Sequence, residues 1–170
     1  RREGRGAMSE KLLQREPVQR VQNALREAGL DTEIRALSET ARTAQDAARS
    51  LDCELGAIVK SLVFRAGDKA VMALIAGDRT CDTDALREVL DLPDGLDRAT
   101  PEFVRAETGF TIGGVAPLGH VSRVPIAIDA SLARFATVYA AAGHPHCVFP
   151  ATFDDLVRAT GGSVSEKIAN

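Results

Sequence analysis

Apolar residues recur at helical spacing in "PVQRVQNALREAGL" (17–30), where Val18, Val21 and Leu25 share one side and Gly29 follows. That pattern predicts an amphipathic helix with a glycine stop. "TAQDAARSL" (43–51) repeats the period through Ala44, Ala47, Ala48 and Leu51, with Thr43 as its start signal. "DTDALREVL" (82–90), "TPEFVRAETG" (100–109) and "TFDDLVRATGG" (152–162) predict three more capped helices, the second with proline in its first turn. Between them, "AIVKSLVFRAGDKAVMALIAGD" (57–78) predicts two strands joined by a turn at Ala66-Gly67-Asp68. Further short strands are predicted at "TEIRAL", "VPIAIDA", "FATVYAAAG" and "HCVFPA". Helices and strands intermingle without a regular βαβ alternation. The expected fold is therefore α+β, a mixed and strongly curved or barrel-like sheet wrapped by helices in a single domain.

Composition narrows the functions open to such a domain. The chain has 170 residues, 45% hydrophobic and 26% charged, with a net charge of −3. No apolar run approaches the roughly 18 residues that suggest a membrane span, and no signal-peptide pattern opens the chain. The acidic balance argues against coating nucleic acid by bulk charge and, with no basic recognition helix, against DNA as a partner. Cys53, Cys81 and Cys147 form no CxxC pair, the pattern of reduced packing thiols in a cytoplasmic protein. "RREGRGA" (1–7), ahead of Met8, reads as a disordered extension, with the domain running from 8 to 170.

Four features could carry chemistry. Lys60 interrupts the apolar run "IVKSLVF" (58–64) and is one of only four lysines against seventeen arginines. It is either a cation fixed in an apolar cleft or an edge-strand lysine that snorkels to water. The loop "IGGVAPLGH" (112–120) packs three glycines and a proline into nine residues. Such a loop can present backbone N–H groups to a ligand, or it can be a tight structural turn; it contains neither GxGxxG nor GxxxxGK[ST]. His144, His146 and Cys147 in "AGHPHCVF" invite a zinc reading, which fails because no distant CxxC or HExxH completes the set. A Gly143-His144-Pro145-His146 turn lining a pocket is the better expectation. Asp129, ending the apolar strand "IAIDA", either caps the following "SLARF" turn or holds a substrate amine. No serine sits in a nucleophile elbow, so an enzyme built on this chain would work by positioning rather than by covalent attack.

Together these stretches resemble the YbaK-type family of aminoacyl-tRNA deacylases, which also supplies the editing domain inserted in bacterial prolyl-tRNA synthetases. The matching residues are "ARTAQDAA" (41–48), "IVKSLVF", "TGFTIGGVAPLGH" (108–120), "PIAIDASL" (125–132) and "AGHPHCVFPATFDDLVRATGG" (142–162). The resemblance implies a free-standing trans-editing hydrolase that removes a wrong amino acid from tRNA, most often tRNA(Pro), with no cofactor and no metal. It maps the family lysine onto Lys60, holding the phosphate or ribose end of the substrate. The family's glycine loop falls on Gly113, Gly114 and Pro117, followed by Gly119, with backbone amides gripping the ester carbonyl. Thr43 matches the pocket threonine and Asp129 the strand-end aspartate. The 143–146 turn lies where the amino-acid pocket is completed.

Ser61 after the lysine, and Val115 and its neighbours in the loop, depart from the cysteine- and alanine-specific patterns. Alanine, 2-aminobutyrate, serine, threonine and cysteine therefore all remain open as the residue removed. Prolyl-tRNA synthetase is an implied partner. The competing expectation, motivated by the missing nucleophile, is a non-catalytic module that binds tRNA or a synthetase.

Overall fold

The computed structural model describes residues 10–38, 41–93 and 95–170; the expected extension at 1–7 lies outside them. Its centre is a hairpin of β2 (Val59–Ala66) and β3 (Lys69–Ala76), paired from Val59↔Ala76 to Ala66↔Lys69. Two residues, Gly67 and Asp68, make the turn, with Gly67 at a φ of 65° that suits a glycine. β3 is buried from Ala70 to Ala76 because it pairs on its other edge with β5 (Ile126–Asp129), in parallel. β8 (Ser163–Ser165) extends that side and β4 (Asp97–Arg98) pairs with the far end of β2, giving the order β4-β2-β3-β5-β8. A second, antiparallel sheet runs β1-β7-β6, with β1 at Arg35–Ala36, β6 at Val138–Ala141 and β7 at Cys147–Ala151.

The helices form where their caps and apolar stripes predict. Glu16–Glu27 buries Val18, Val21 and Leu25 against Met72, Leu74, Val138 and Phe149 in the main core. Ala44–Leu51 starts on Thr43, whose hydroxyl accepts the Asp46 N–H, and packs Ala47 and Ala48 against Ile58 and Val148. Thr83–Val89 is capped by Asp82 and seals the opposite side of the large sheet through Leu86 against Ala73 and Ile75. Pro101–Thr108 is capped by Thr100 and stopped by Gly109, and Phe153–Thr160 by Thr152 and Gly161.

Two expectations are corrected. No sheet closes or curls strongly: both are open, and among the described residues they meet through a single parallel bridge, Ile58↔Tyr139. Closure would need β4 to pair with β8, but β4 offers only two exposed residues. The strand expected at 32–37 shrinks to Arg35–Ala36, and the short, polar β4 and β8 carry no alternating pattern by which they could be foreseen.

Candidate functional site

Ile58, the residue before β2, is bridged to Tyr139 of β6, and β2 is paired to β4 from Phe64 onward. On that side, residues 59–63 have no strand partner among the described residues, and the glycine loop lies beside this opening. A cavity of about 330 Å³ results, walled by Thr43, Lys60, Ser61, Gly113, Val115 and Pro145 together with Leu37, Arg42, Ile112 and Val148. A smaller one of about 250 Å³ adjoins it and shares Ser61, Leu62, Ile112, Gly113 and Val115, with Arg98 at its far wall. Six of the predicted site residues thus converge on one hollow from four separate stretches of chain.

The loop is shaped by contacts with the 143–146 turn. Gly113, at φ 93°, stands where a Cβ would lie 3.4 Å from Pro145. A Cβ on Gly114 would come within 2.8–3.0 Å of the His144 Cα, N and C atoms, so only glycine lets the two backbones approach this closely. Gly143 in turn sits on the Glu16–Glu27 helix, where a Cβ would meet the Pro17 carbonyl oxygen at 2.7 Å. The donors of the loop are not equivalent. Gly114 N–H is spent on the Thr111 carbonyl at 3.0 Å. The N–H groups of Gly113 and Val115 have no partner among the described residues, and the buried Ser61 hydroxyl also has none. Gly113 is exposed, so water can serve its N–H, whereas Val115 and the Ser61 hydroxyl are buried. Buried polar groups are normally paired, so these donors in one cavity wall are a capacity for binding an oxygen-rich ligand.

Lys60 is half-buried, and its ammonium donates to the Arg79 carbonyl. Strand alternation puts it on the side of Leu62 and Phe64, opposite Ser61. It therefore borders the cavity while its charge is anchored just outside. Thr43 caps its helix and lines the cavity at once. Gly114, Pro117, Gly119, Asp129, Gly143, His144 and His146 do not line either cavity. Asp129 is 2% exposed, and its carboxylate accepts from Ala76 N (3.1 Å), Ser131 N (2.8 Å) and Ser131 Oγ (2.8 Å), the bonds of a cap for the 130–134 turn. His144 Nδ1 accepts the His146 N–H at 3.1 Å, and His146 Nδ1 meets the Ser38 carbonyl at 3.1 Å. Among the described residues no three His, Cys, Asp or Glu side chains group as metal ligands, and no helix is long and apolar enough to cross a membrane.

Sequence reasoning missed Arg42, Arg98 and Ile112. Ile112 is 55% exposed on the loop between the two cavities, and its place beside the glycines was the available signal. Burial pushes the thiols of Cys81 and Cys147 up to about 11, so both stay protonated and poorly nucleophilic at neutral pH.

His120 closes the loop through Nε2–H to the Ala116 carbonyl at 2.7 Å. Burial pulls its pKa below the ordinary 6.5, with the nearby Arg20 adding to the effect and the Ala116 bond opposing it. The folded protein thus resists a proton that the unfolded chain accepts. Stability from this residue is complete above about 6.5 and declines as pH falls below it. Thermal melts from pH 8 to 5 should show that decline in the wild type and a shallower one in His120→Gln; equal slopes would refute the assignment.

A family model described as an aminoacyl-tRNA editing domain matches residues 38–159. A solved structure of a candidate trans-editing enzyme for prolyl-tRNA synthetase superimposes with a TM-score of 0.83 at 38% identity, covering 89% of this chain and 96% of that one. The uncharacterized protein YwhH of Bacillus subtilis is 30% identical over 127 residues, 74% of this chain and 80% of its own length. A proline–tRNA ligase of Solidesulfovibrio magneticus is 34% identical over 91 residues; the match spans 54% of this chain and only 16% of that much longer protein.

Proposed function

The chain belongs to the aminoacyl-tRNA editing domain family, and from that premise we propose that it is a trans-editing hydrolase, with residues 8–170 as its editing domain. It deacylates mischarged tRNA, in the first place tRNA(Pro) carrying alanine, 2-aminobutyrate, serine, threonine or cysteine. It acts in the cytoplasm, alongside prolyl-tRNA synthetase. The observation that supports this reading best is the convergence of Thr43, Lys60, Ser61, Gly113, Val115 and Pro145 on one cavity.

In the proposed reaction the ester carbonyl lies against the N–H groups of Gly113 and Val115. Water attacks the carbonyl carbon, and the developing oxyanion is held by donors already in place. The C–O bond to the ribose then breaks, and the ribose oxygen leaves with a proton. The neighbouring ribose hydroxyl helps to orient the water, so binding in the right geometry supplies much of the rate. Lys60 turns from the Arg79 carbonyl to the phosphate or ribose of the tRNA end, and Arg42 offers a second cation at the rim. A pocket of this size discriminates among small side chains by only about 1–3 kcal/mol per methylene, so several are accepted.

The test supplies alanyl-, seryl-, threonyl-, cysteinyl- and 2-aminobutyryl-tRNA(Pro) to one preparation. Clearance of at least one faster than its spontaneous hydrolysis is expected. Among the described residues lining the cavity no His, Cys, Asp or Glu stands by to activate the Ser61 or Thr43 hydroxyl, which favours one rival, a binding module without turnover. Tight tRNA binding with no acceleration for any member of the panel would establish that rival instead.

A further inference from the structure

The Glu16–Glu27 helix lies outside the span matched by the family model, yet one of its side chains enters the neck of the glycine loop. Arg20 Nε donates to the Gly119 carbonyl at 2.9 Å and Nη2 to the Gly109 carbonyl at 2.8 Å, across 99 and 89 residues of sequence. Nη1 is held by both oxygens of the Glu16 carboxylate at 3.0 and 3.2 Å. The guanidinium lies 4.5 Å from the centroid of the Phe110 ring.

Gly109 and Gly119 bracket the segment that carries Gly113 and Val115. One planar cation therefore ties the two ends of the loop together, and stacking on Phe110 fixes its plane. A lysine could not do the same, since an ammonium on a flexible stem does not reproduce a rigid fork with several fixed donors. The His120–Ala116 bond tightens the loop from inside, while Arg20 closes it from outside.

We propose that Arg20 is a positioning residue for the loop donors, holding the Gly113 and Val115 N–H groups at the height where the ester oxygen arrives. The proposal rests on the deacylase reading for its catalytic consequence, although the loop geometry itself does not. The experiment compares wild type, Arg20→Lys and Arg20→Ala in single-turnover deacylation, with melts to establish the folded fraction. Kcat is expected to fall about thirtyfold in Arg20→Lys, short of the roughly hundredfold that a 1 Å misplacement costs, with KM within about twofold of wild type, as for an interaction felt in the transition state. Millimolar guanidinium should restore part of the activity of Arg20→Ala. Should Arg20→Ala fail to fold, Glu16→Gln, altered at an exposed carboxylate, is expected to lower kcat by a smaller factor.

Wild-type kcat in folded Arg20→Lys, or a loss confined to KM, would overturn the proposal. Hydrogen exchange supplies a reading that needs no substrate. Amides 114 and 121, bonded to the Thr111 and Thr108 carbonyls, should exchange faster in Arg20→Lys while those of 70–76 stay unchanged, and unaltered exchange at 114 and 121 overturns the positioning role. If the wild type clears no mischarged tRNA, the deacylase reading falls, and the exchange data still decide whether Arg20 holds the loop.

Discussion

Replacing Gly114 with alanine is expected to cost about a thousandfold in deacylation, at the upper end of what losing one oxyanion donor costs. The new methyl carbon would sit 2.8 Å from the His144 Cα and 2.9 Å from its nitrogen. Backbone atoms cannot swing aside as a flexible side-chain end can, so either the loop lifts or the 143–146 turn retreats. The turn is itself backed by the helix, since Gly143 lies against Pro17 with no room to spare. The loop must therefore move, and the donors of Gly113 and Val115 move with it. Stability should fall too, by about 1–3 kcal/mol, the usual cost of overpacking. Gly95→Ala is the control, because a Cβ there meets nothing within 4 Å and its backbone is not left-handed. The check is single-turnover deacylation with a urea melt on each variant; a fully active Gly114→Ala would show that the loop does not hold the ester.

Lys60→Ala is the second large effect: a loss of about a hundredfold or more in kcat/KM, in the range that mutagenesis gives for a preorganised electrostatic partner. The ammonium is held at the Arg79 carbonyl beside the cavity, so it exchanges that one partner for the phosphate when the tRNA end arrives. Stability should drop by only about 1.5–3 kcal/mol, the scale of one hydrogen bond to a charged group. The salt dependence of binding should also weaken by roughly one counterion's worth, as expected when one phosphate contact is lost. Measuring KM for mischarged tRNA at several salt concentrations in both proteins tests this. An unchanged slope together with unchanged turnover would leave Lys60 as an edge-strand lysine and nothing more.

Much of this architecture was legible in the sequence because local chemistry fixes it. Thr43, Asp82, Thr100 and Thr152 each cap the helix they announce, and the Gly67-Asp68 turn sets the register of the central hairpin. The loop and the lysine strand were visible as motifs for the same reason. What could not be read was long-range. Lys60 was legible as a cation in an apolar strand, but nothing nearby showed that the Arg79 carbonyl would receive its ammonium. That Gly114 N–H is spent on Thr111 while Gly113 N–H is left over depends on a turn conformation no spacing reveals. Arg20 looked like any solvent-facing member of an amphipathic helix, since its partners lie 89 and 99 residues away. β4 and β8 exist only because a neighbour offers an edge, and closure failed because those edges are so short.

The joint at Ile58 and Tyr139 has a mechanical consequence. Among the described residues the two plates share that one backbone rung and otherwise the side chains of a common core, and the hollow beside the rung is bordered by both. A molecule wedged there would brace both plates, so occupancy should raise the unfolding temperature of the whole body.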